Sequence, residues 1–336
     1  LNLRSSSHIN DVVKIPVNLT IKLLNNTLNA KLQKIPVPKF VQTVLDDSFG
    51  IFVFDQTFNP FYEKLCQYLN DNGIISVAVP HGHNIFGNML ISIKSLSIEP
   101  KKGIQNHSMP YKYVIFENNT IANRFLDIGY VTSEQIKILG SSRFCLEWIH
   151  KIREILPPDN LPILHKDKLK IVLMLSKPLY NVFVEEIHRT VKYICSFPNV
   201  YVIVKPHTRG ESFNDLLLPK NVLIVNNDVH SPSLIDWADV VLFTNSSIIF
   251  ESLKLGKPTL YMKTTHANKL LFENYFKSWQ IECRDDLRDF IWKFINDRKT
   301  ITYSNKERDQ YCKDCIEPVG PDALEYYSNF IRSLFK

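Results

Sequence analysis

The chain has no apolar run long enough to cross a bilayer. Its longest, such as Ile171 to Leu175 and Val240 to Phe243, are strand-sized, against the roughly 20 residues that a spanning helix needs. No signal peptide opens it, and the six cysteines are scattered rather than set out as a small disulfide framework, so the expectation is a cytoplasmic protein in a reducing compartment. It has no long acidic or basic tail, no internal repeat of fixed period, and neither an RNP-type nor a zinc-finger pattern. Extended disorder, a solenoid and nucleic acid as partner are thereby set aside. Methionine is missing from the first position, where Leu1 stands, which is consistent with a module of a longer polypeptide whose N-terminal strands lie elsewhere.

What is present is globular. The 336 residues are too many for one ordinary core and about right for two domains, and 45% of them are hydrophobic. Both signs of charge are spread along the chain, and the net charge of +6 suits an anionic ligand or a negatively charged membrane surface. Asn-x-Ser/Thr triplets at Asn18, Asn106 and Asn118 are read as chance products of an Asn-rich sequence.

Residues 1 to 48 are the least legible, with an amphipathic helix expected over Val17 to Leu32 before the Pro36-Val37-Pro38 break. Strand-like runs follow at Ile51 to Phe54, Ile75 to Val79, Tyr113 to Phe116 and Ile136 to Leu139, separated by helical spacing. Such alternation predicts β-α-β units on a parallel sheet. Three prolines and two aspartates mark Leu156 to Lys168 as a break. The expected domains are residues 1–156 and 169–336, joined by a linker over 157–168. Beyond the linker the pattern predicts strands over Lys170 to Leu175, Val200 to Val204, Val222 to Val225, Val240 to Phe243 and Thr259 to Met262. Helices are expected over Val182 to Phe197 and Ser246 to Leu255, which completes a second doubly wound domain.

Two stretches of that second domain carry chemistry. Val202-Ile-Val-Lys-Pro-His-Thr-Arg209 runs off a strand into three basic or imidazole side chains. Lys205 and Arg209 could neutralise a phosphate, and His207 could donate to a phosphate oxygen that gains charge as a leaving nucleotide departs. The alternative is a solvated basic turn. Next, the strand ending in Thr244 and Asn245 leads into Ser246 and Ser247, where a helix start would offer backbone N–H groups to a phosphate. Glu251 then falls where it could accept hydrogen bonds from ribose hydroxyls. The plainer reading is a capped helix with a solvated glutamate.

The order Lys-Pro-His-x-Arg turn, apolar strand, Ser-Ser helix start, Glu and Leu-Gly-Lys-Pro exit resembles the nucleotide-binding domain of GT-B glycosyltransferases, two Rossmann-like doubly wound domains facing a cleft. It is most similar to the CDP-glycerol glycerophosphotransferases of teichoic acid synthesis and related capsule and surface-carbohydrate enzymes. The resemblance covers residues 170 to 262 well. It implies donor-phosphate contacts for His207, Ser246 and Ser247, beside Lys205, Arg209 and Thr244, and ribose binding for Glu251. Two positions depart from the pattern: Thr208 stands where proline is usual, and Asn245 where an acidic or aromatic residue is common.

In the first half, Pro80-His81-Gly82-His83-Asn84 closes a strand, and a histidine there could act as general base on an acceptor hydroxyl. The same family has a His-Gly pair on its acceptor side, which the resemblance carries to His81. A turn histidine satisfied by backbone is the alternative, and zinc at His81 and His83 lacks a third ligand at a usual spacing. Asp55, at the end of its strand, could orient His81, act as base itself, or serve as a carboxylate nucleophile in a retaining reaction; Glu117 has a similar position. Gly140-Ser-Ser-Arg-Phe144 resembles the Gly-x-Pro-Arg stretch of the family, so Arg143 could reach a phosphate. Cys312-Lys-Asp-Cys315 is a lone pair read as structural.

The function expected is transfer of a glycosyl or polyol-phosphate group from a CMP-, CDP- or UDP-linked donor to a bacterial surface polysaccharide: capsule, teichoic acid or lipopolysaccharide. No cofactor and no metal are expected. The partners would be that donor, a polysaccharide or lipid-linked glycan acceptor, and the inner face of the cytoplasmic membrane. Two other classes fit the same scaffold: a UDP-N-acetylglucosamine 2-epimerase and a non-catalytic GT-B module that binds a glycan or partner enzyme.

Overall fold

The computed structural model describes residues 41, 50–55, 60–80, 108–178, 180–207, 219–226 and 228–335. The helix expected over Val17 to Leu32, His81 with its neighbours Gly82, His83 and Asn84, and Arg209 lie outside the described residues.

The strands form two sheets. The first has the order β1 (Ile51–Asp55), β2 (Ile75–Val79), β3 (Tyr113–Phe116), β4 (Ile136–Ile138). The β1–β2 and β2–β3 pairs are parallel. β1 stands at one end of this order among the described strands, and Val53 on it is 56% exposed. The second sheet has six strands: β5 (Leu169–Met174), β6 (Val200–Lys205), β7 (Val222–Ile224), β8 (Val240–Phe243), β9 (Thr259–Met262) and β10 (Gln280–Ile281). Their order is β10-β9-β8-β5-β6-β7, and every pair in it is parallel. Strand order therefore reverses between β5 and β8, as in a doubly wound nucleotide-binding sheet.

Continuous apolar strands are what a parallel sheet covered on both faces demands. Val240 to Phe243 and Thr259 to Met262 are buried throughout, as is β5 apart from Lys170. The helices supply the cover. α4 (Val184–Cys195) buries Ile187, Val191 and Ile194, spaced four and three apart along one face. It starts two residues later than the pattern predicted, because Asn181 sits at φ 55° and Val182 forms an antiparallel bridge with His266 instead of opening the helix. After β9, Phe276 and Trp279 pack against Phe243, Tyr303 and Tyr311 in an aromatic cluster. Three helices then complete the chain: α7 (Arg284–Asn296), α8 (Asn305–Cys315) and α9 (Ala323–Ser333). Ser304 and Glu307 start α8 with a reciprocal capping box.

The chain forms two compact units. One contains β1, α1 (Pro60–Asp71), β2 and residues 128–137, with β3 as far as Ile115. The other contains residues 116–127 and everything described from Ile138 on, so α2 (Asn119–Asp127) and α3 (Leu146–Ile155) belong with the six-stranded sheet. Asn118 shows why: its Nδ2 donates to the carbonyl of Cys315 at 2.9 Å. No helix among the described residues is long and apolar enough to cross a membrane.

Leu242 lies at the middle of β8, fully buried in the core of the second unit. Leu242→Ala should lower the unfolding free energy by about 2–5 kcal/mol, read from the urea midpoint at unchanged slope. A loss below about 1 kcal/mol would show that this sheet is not the core of the unit.

Candidate functional site

A cavity of about 300 Å³ opens beside the carboxyl end of β6. It is walled by α3 through Trp148, Ile149 and Ile152, by the segment Val229 to Pro232, and by Ile248 and Glu251. Arg143 and Lys205 complete it. Three residues singled out from sequence, Arg143, Lys205 and Glu251, thus meet around one space.

Lys205 is the last residue of β6 and is buried. Its Nζ donates to the carbonyl of Asn226 at 2.8 Å. Burial lowers its pKa, and the nearby carboxylates of Asp228 and Asp159 oppose that. Asp159 also accepts a hydrogen bond from the backbone N–H of His230 at 2.9 Å, which ties the linker segment to the cavity wall.

Glu251 is held by an arginine that the sequence reading did not single out. Arg153, on α3, places Nη1 2.8 Å from Glu251 Oε1, with the two side chains 19% and 8% exposed. The same guanidinium grips Asp236 with Nε at 2.9 Å and Nη2 at 3.1 Å, a two-pronged contact. Burial pushes the Glu251 carboxyl above its ordinary range, while Arg153, and further off Arg143, pull it back. The carboxylate that was expected to await a ribose is therefore already paired on one oxygen. Nothing in the local sequence shows this pairing, which joins residues 98 positions apart. The only local trace is the apolar spacing of Ile149, Ile152 and Leu156, which marks the face of α3 that Arg153 adjoins.

The helix after β8 departs from expectation. α6 runs over Ile249–Lys254 only, and does not open at Ser246. The N–H groups of Ile249, Phe250 and Glu251 bond to the carbonyls three residues back, of Ser246, Ser247 and Ile248, at 3.4, 3.2 and 3.1 Å. Residues 246–248 thus precede the helix, and it is their carbonyls, not their N–H groups, that these bonds take up. Thr244 is buried and bonded to Ser176: its Oγ1 accepts from the backbone N–H at 3.0 Å and donates to Oγ at 3.1 Å. Among the predicted residues, Thr244, Ser246, Ser247 and the half-buried His207 are not in the wall of this cavity.

Two further candidates are not among the residues that line it. Asp55 closes β1 in the first unit, and its backbone carbonyl accepts from Tyr111 Oη at 3.5 Å. Glu117 follows β3 and is buried, and desolvation pushes its carboxyl up to about 7. Cys312 and Cys315 are buried on α8, each with its thiol pKa raised chiefly by burial. Among the described residues, no group of three or more His, Cys, Asp or Glu is placed to hold a metal ion.

No protein-family profile matches the chain, and no curated protein does. Solved structures do. The wall teichoic acid polymerase TagF, as a variant soaked with CDPG, is 14% identical over 88% of this chain and 83% of its own, with a TM-score of 0.52. The S. aureus MnaA–UDP co-structure is 12% identical over 91% of this chain and 82% of its own, at 0.55. The glycotransferase of kitacinnamycin is 13% identical over 88% and 79%, at 0.51. At these identities the likeness is one of fold, and the fold is of the GT-B type.

Arg153→Met should strand Glu251 as a buried charge and cost about 3 kcal/mol at pH 8. The cost should be smaller at pH 5 than at pH 8, since a lower pH favours the uncharged form of a carboxyl stranded by burial, and adding Glu251→Gln should recover most of it. Equal losses at both pH values in urea unfolding would contradict the pairing. Glu117 carries a separate pH signature. Its carboxyl titrates near 7 when folded against an ordinary 4.5, so the folded chain holds the proton that the unfolded chain has released, and stability falls as pH rises from about 4.5 towards 7. Glu117→Gln should remove that slope, an effect on the order of 3 kcal/mol at pH 8. An unchanged stability profile would mean that Glu117 is solvated.

Proposed function

We propose that this chain is a GT-B-type transferase that takes a glycosyl or polyol-phosphate group from a CMP-, CDP- or UDP-linked donor and adds it to a growing bacterial surface polysaccharide. The observation that carries the reading is the cavity in which Arg143, Lys205 and Glu251 meet. Two cationic side chains facing a paired carboxylate match a nucleotide's needs: positive charge for phosphate, an acceptor for hydroxyls. Its place beside the carboxyl end of β6 is the edge of such a sheet where ligands bind. The UDP and CDPG named with two of the similar structures support a pyrimidine nucleotide.

In this reading Arg143 and Lys205, with Arg209 and His207, stabilise the leaving phosphate electrostatically, in place of a divalent cation. Lys205 acts from a buried position by its field, whereas Arg143, which is exposed, can close on the phosphate directly. Ser246 and Ser247 remain the proposed donors to the phosphate, whereas Thr244, whose hydroxyl is given to Ser176, holds the end of β8 instead. His81 is the proposed base for the acceptor hydroxyl, with Asp55 as its orienting group or as nucleophile. The acceptor would be a polysaccharide or lipid-linked glycan met at the inner face of the membrane.

Arg143→Ala removes an exposed side chain and should leave the fold intact. Calorimetry with CMP, CDP, UDP and GDP should show one pyrimidine nucleotide bound by wild type. Arg143→Ala should weaken it by roughly 10- to 100-fold, the worth of one charge-assisted contact. Unchanged affinity in the variant would remove the cavity from donor binding. Conversion of a UDP-sugar without any acceptor would favour the 2-epimerase reading instead.

A further inference from the structure

The amino ends of the strands of the second sheet form the edge opposite to the cavity, and two segments meet there. Leu161 to Lys168 leads into β5. Asp297 to Tyr303 lies beside the start of β9, where Thr302 Oγ1 accepts from the Thr259 N–H at 3.2 Å and Tyr303 Oη donates to the carbonyl of Lys257 at 2.6 Å. Arg298 ties the two segments together: its Nη2 donates to the carbonyl of Asp167 at 2.7 Å and its Nη1 to that of Phe294 at 3.1 Å. The tip between these anchors is a fixed turn, with the N–H groups of Lys299 and Thr300 on Asp297 Oδ1 and O at 2.9 and 3.1 Å.

This well-anchored edge leaves apolar side chains in water. Ile163 and Ile301, 101% and 78% exposed, are the two most exposed large hydrophobic residues among those described, and they stand on these two segments. Chain length alone keeps them within roughly 14 and 11 Å of the Arg298–Asp167 bond. Near the end of α7, Trp292 sets its ring against Phe197 with centroids 5.7 Å apart and remains 42% exposed. A single exposed aliphatic residue needs no explanation. Three on elements held this firmly call for a partner.

The charge around them is mostly of one sign. Over residues 163–168 and 292–301 five cations, Lys166, Lys168, Lys293, Arg298 and Lys299, stand against two carboxylates. Both carboxylates are engaged, Asp297 in its turn and Asp167 with His165 Nδ1 at 2.7 Å. None of the four lysines forms an ion pair among the described residues. Lys293 and Lys299 also line a cavity of about 790 Å³ beside Ile301. A nucleic acid would use the lysines and not the isoleucines. A protein partner is recognised through fixed hydrogen bonds, whereas this edge offers hydrocarbon and point charges on flexible stems. The surface of an anionic bilayer takes all three groups: ammonium among phosphates, tryptophan at headgroup level and aliphatic side chains below it.

We propose that this edge, through Ile163, Trp292 and Ile301 with Lys166, Lys293 and Lys299, docks the second unit on an anionic phospholipid bilayer. The lysines draw the edge to the surface and pair with lipid phosphates. Three apolar side chains are too few to hold a protein on a neutral bilayer, so adhesion depends on anionic lipid and falls as salt rises. Docking here gives the membrane contact of the proposed function a place on the second unit, and it needs no nucleotide.

Sedimentation of the full chain with vesicles is the test, with phosphatidylcholine alone set against equal parts of phosphatidylcholine and phosphatidylglycerol. Wild type should bind the mixed vesicles about tenfold or more tightly than the neutral ones and release them at high salt. Lys293→Gln with Lys299→Gln should weaken binding about 25-fold, roughly fivefold for each lysine. Ile163→Ser with Ile301→Ser should weaken it about tenfold or more, at an unchanged urea midpoint. Failure of wild type to bind the mixed vesicles overturns the docking edge. So does full binding by either double variant; loss with the lysines alone would mark a patch for soluble polyanions instead. Should a double variant fail to fold, Trp292 decides: lipids with brominated acyl chains should quench the part of the wild-type emission that Trp292→Phe lacks, and no quenching overturns the proposal. A chain that binds vesicles but no nucleotide keeps this edge and loses the donor reading, and one that binds nucleotide but no vesicles keeps only the latter.

Discussion

In the six-stranded sheet β5 pairs with β6 on one side and β8 on the other, and the candidate groups of the second unit depend on that arrangement. Because all pairs are parallel, the loops that carry chemistry leave from one edge. Strand order reverses between β5 and β8, and the loops that leave these two strands meet there, with Asn245 Nδ2 donating to the carbonyl of Tyr180 at 3.0 Å. The bonds of Thr244 to Ser176 stitch β8 to β5 just beyond the last paired residues. Cations lie to the β6 side of this stitch, at Lys205. Neutral polar groups lie to the β8 and β9 side, at Asn245, His266 and Asn268.

The stability of this edge is bound up with its charges. Arg153 reaches from α3 to Asp236 on α5 (Ser231–Trp237) and to Glu251 on α6. Such a pair is a weak source of net stability, since desolvation offsets most of the attraction. What it does supply is definition: it fixes α3 against two helices of the unit, and with α3 it fixes the cavity wall that Trp148, Ile149 and Ile152 form. A hydrophobic substitute could pack as well but would leave Glu251 free to turn or to take up a proton.

The strands were the most legible part of the sequence. Tyr113 to Phe116, Val240 to Phe243 and Thr259 to Met262 are found where the pattern put them, because a strand buried on both faces writes itself as an unbroken apolar run. β10 was missed, having only Gln280 and Ile281 to show. The start of α6 was misplaced because Ser246 and Ser247 look like a helix cap, whereas their carbonyls close a turn first. Lys205 and Glu251 could be read from their strand and helix, and Arg143 from its place after Gly140. Arg153 and His266 could not. Each acquires its meaning from partners on other elements, and no local pattern distinguishes a surface arginine or a core histidine from one that ties elements together.

Asn181 illustrates how a backbone requirement and a side-chain hydrogen bond can fall on the same residue. Its φ of 55° is in the left-handed region, where asparagine is tolerated better than most side chains and glycine better still. Glycine would satisfy the backbone without supplying an amide. With asparagine, the turn that stops α4 from starting at Val182 also presents Nδ2 to Asn268 and leaves Oδ1 unspent. The amide is thus fixed at one end by this bond. The same division holds at Asn245, whose Nδ2 is committed to Tyr180 while its Oδ1 is not. Two asparagines held in this way tie the loops that leave β5, β8 and β9 to one another.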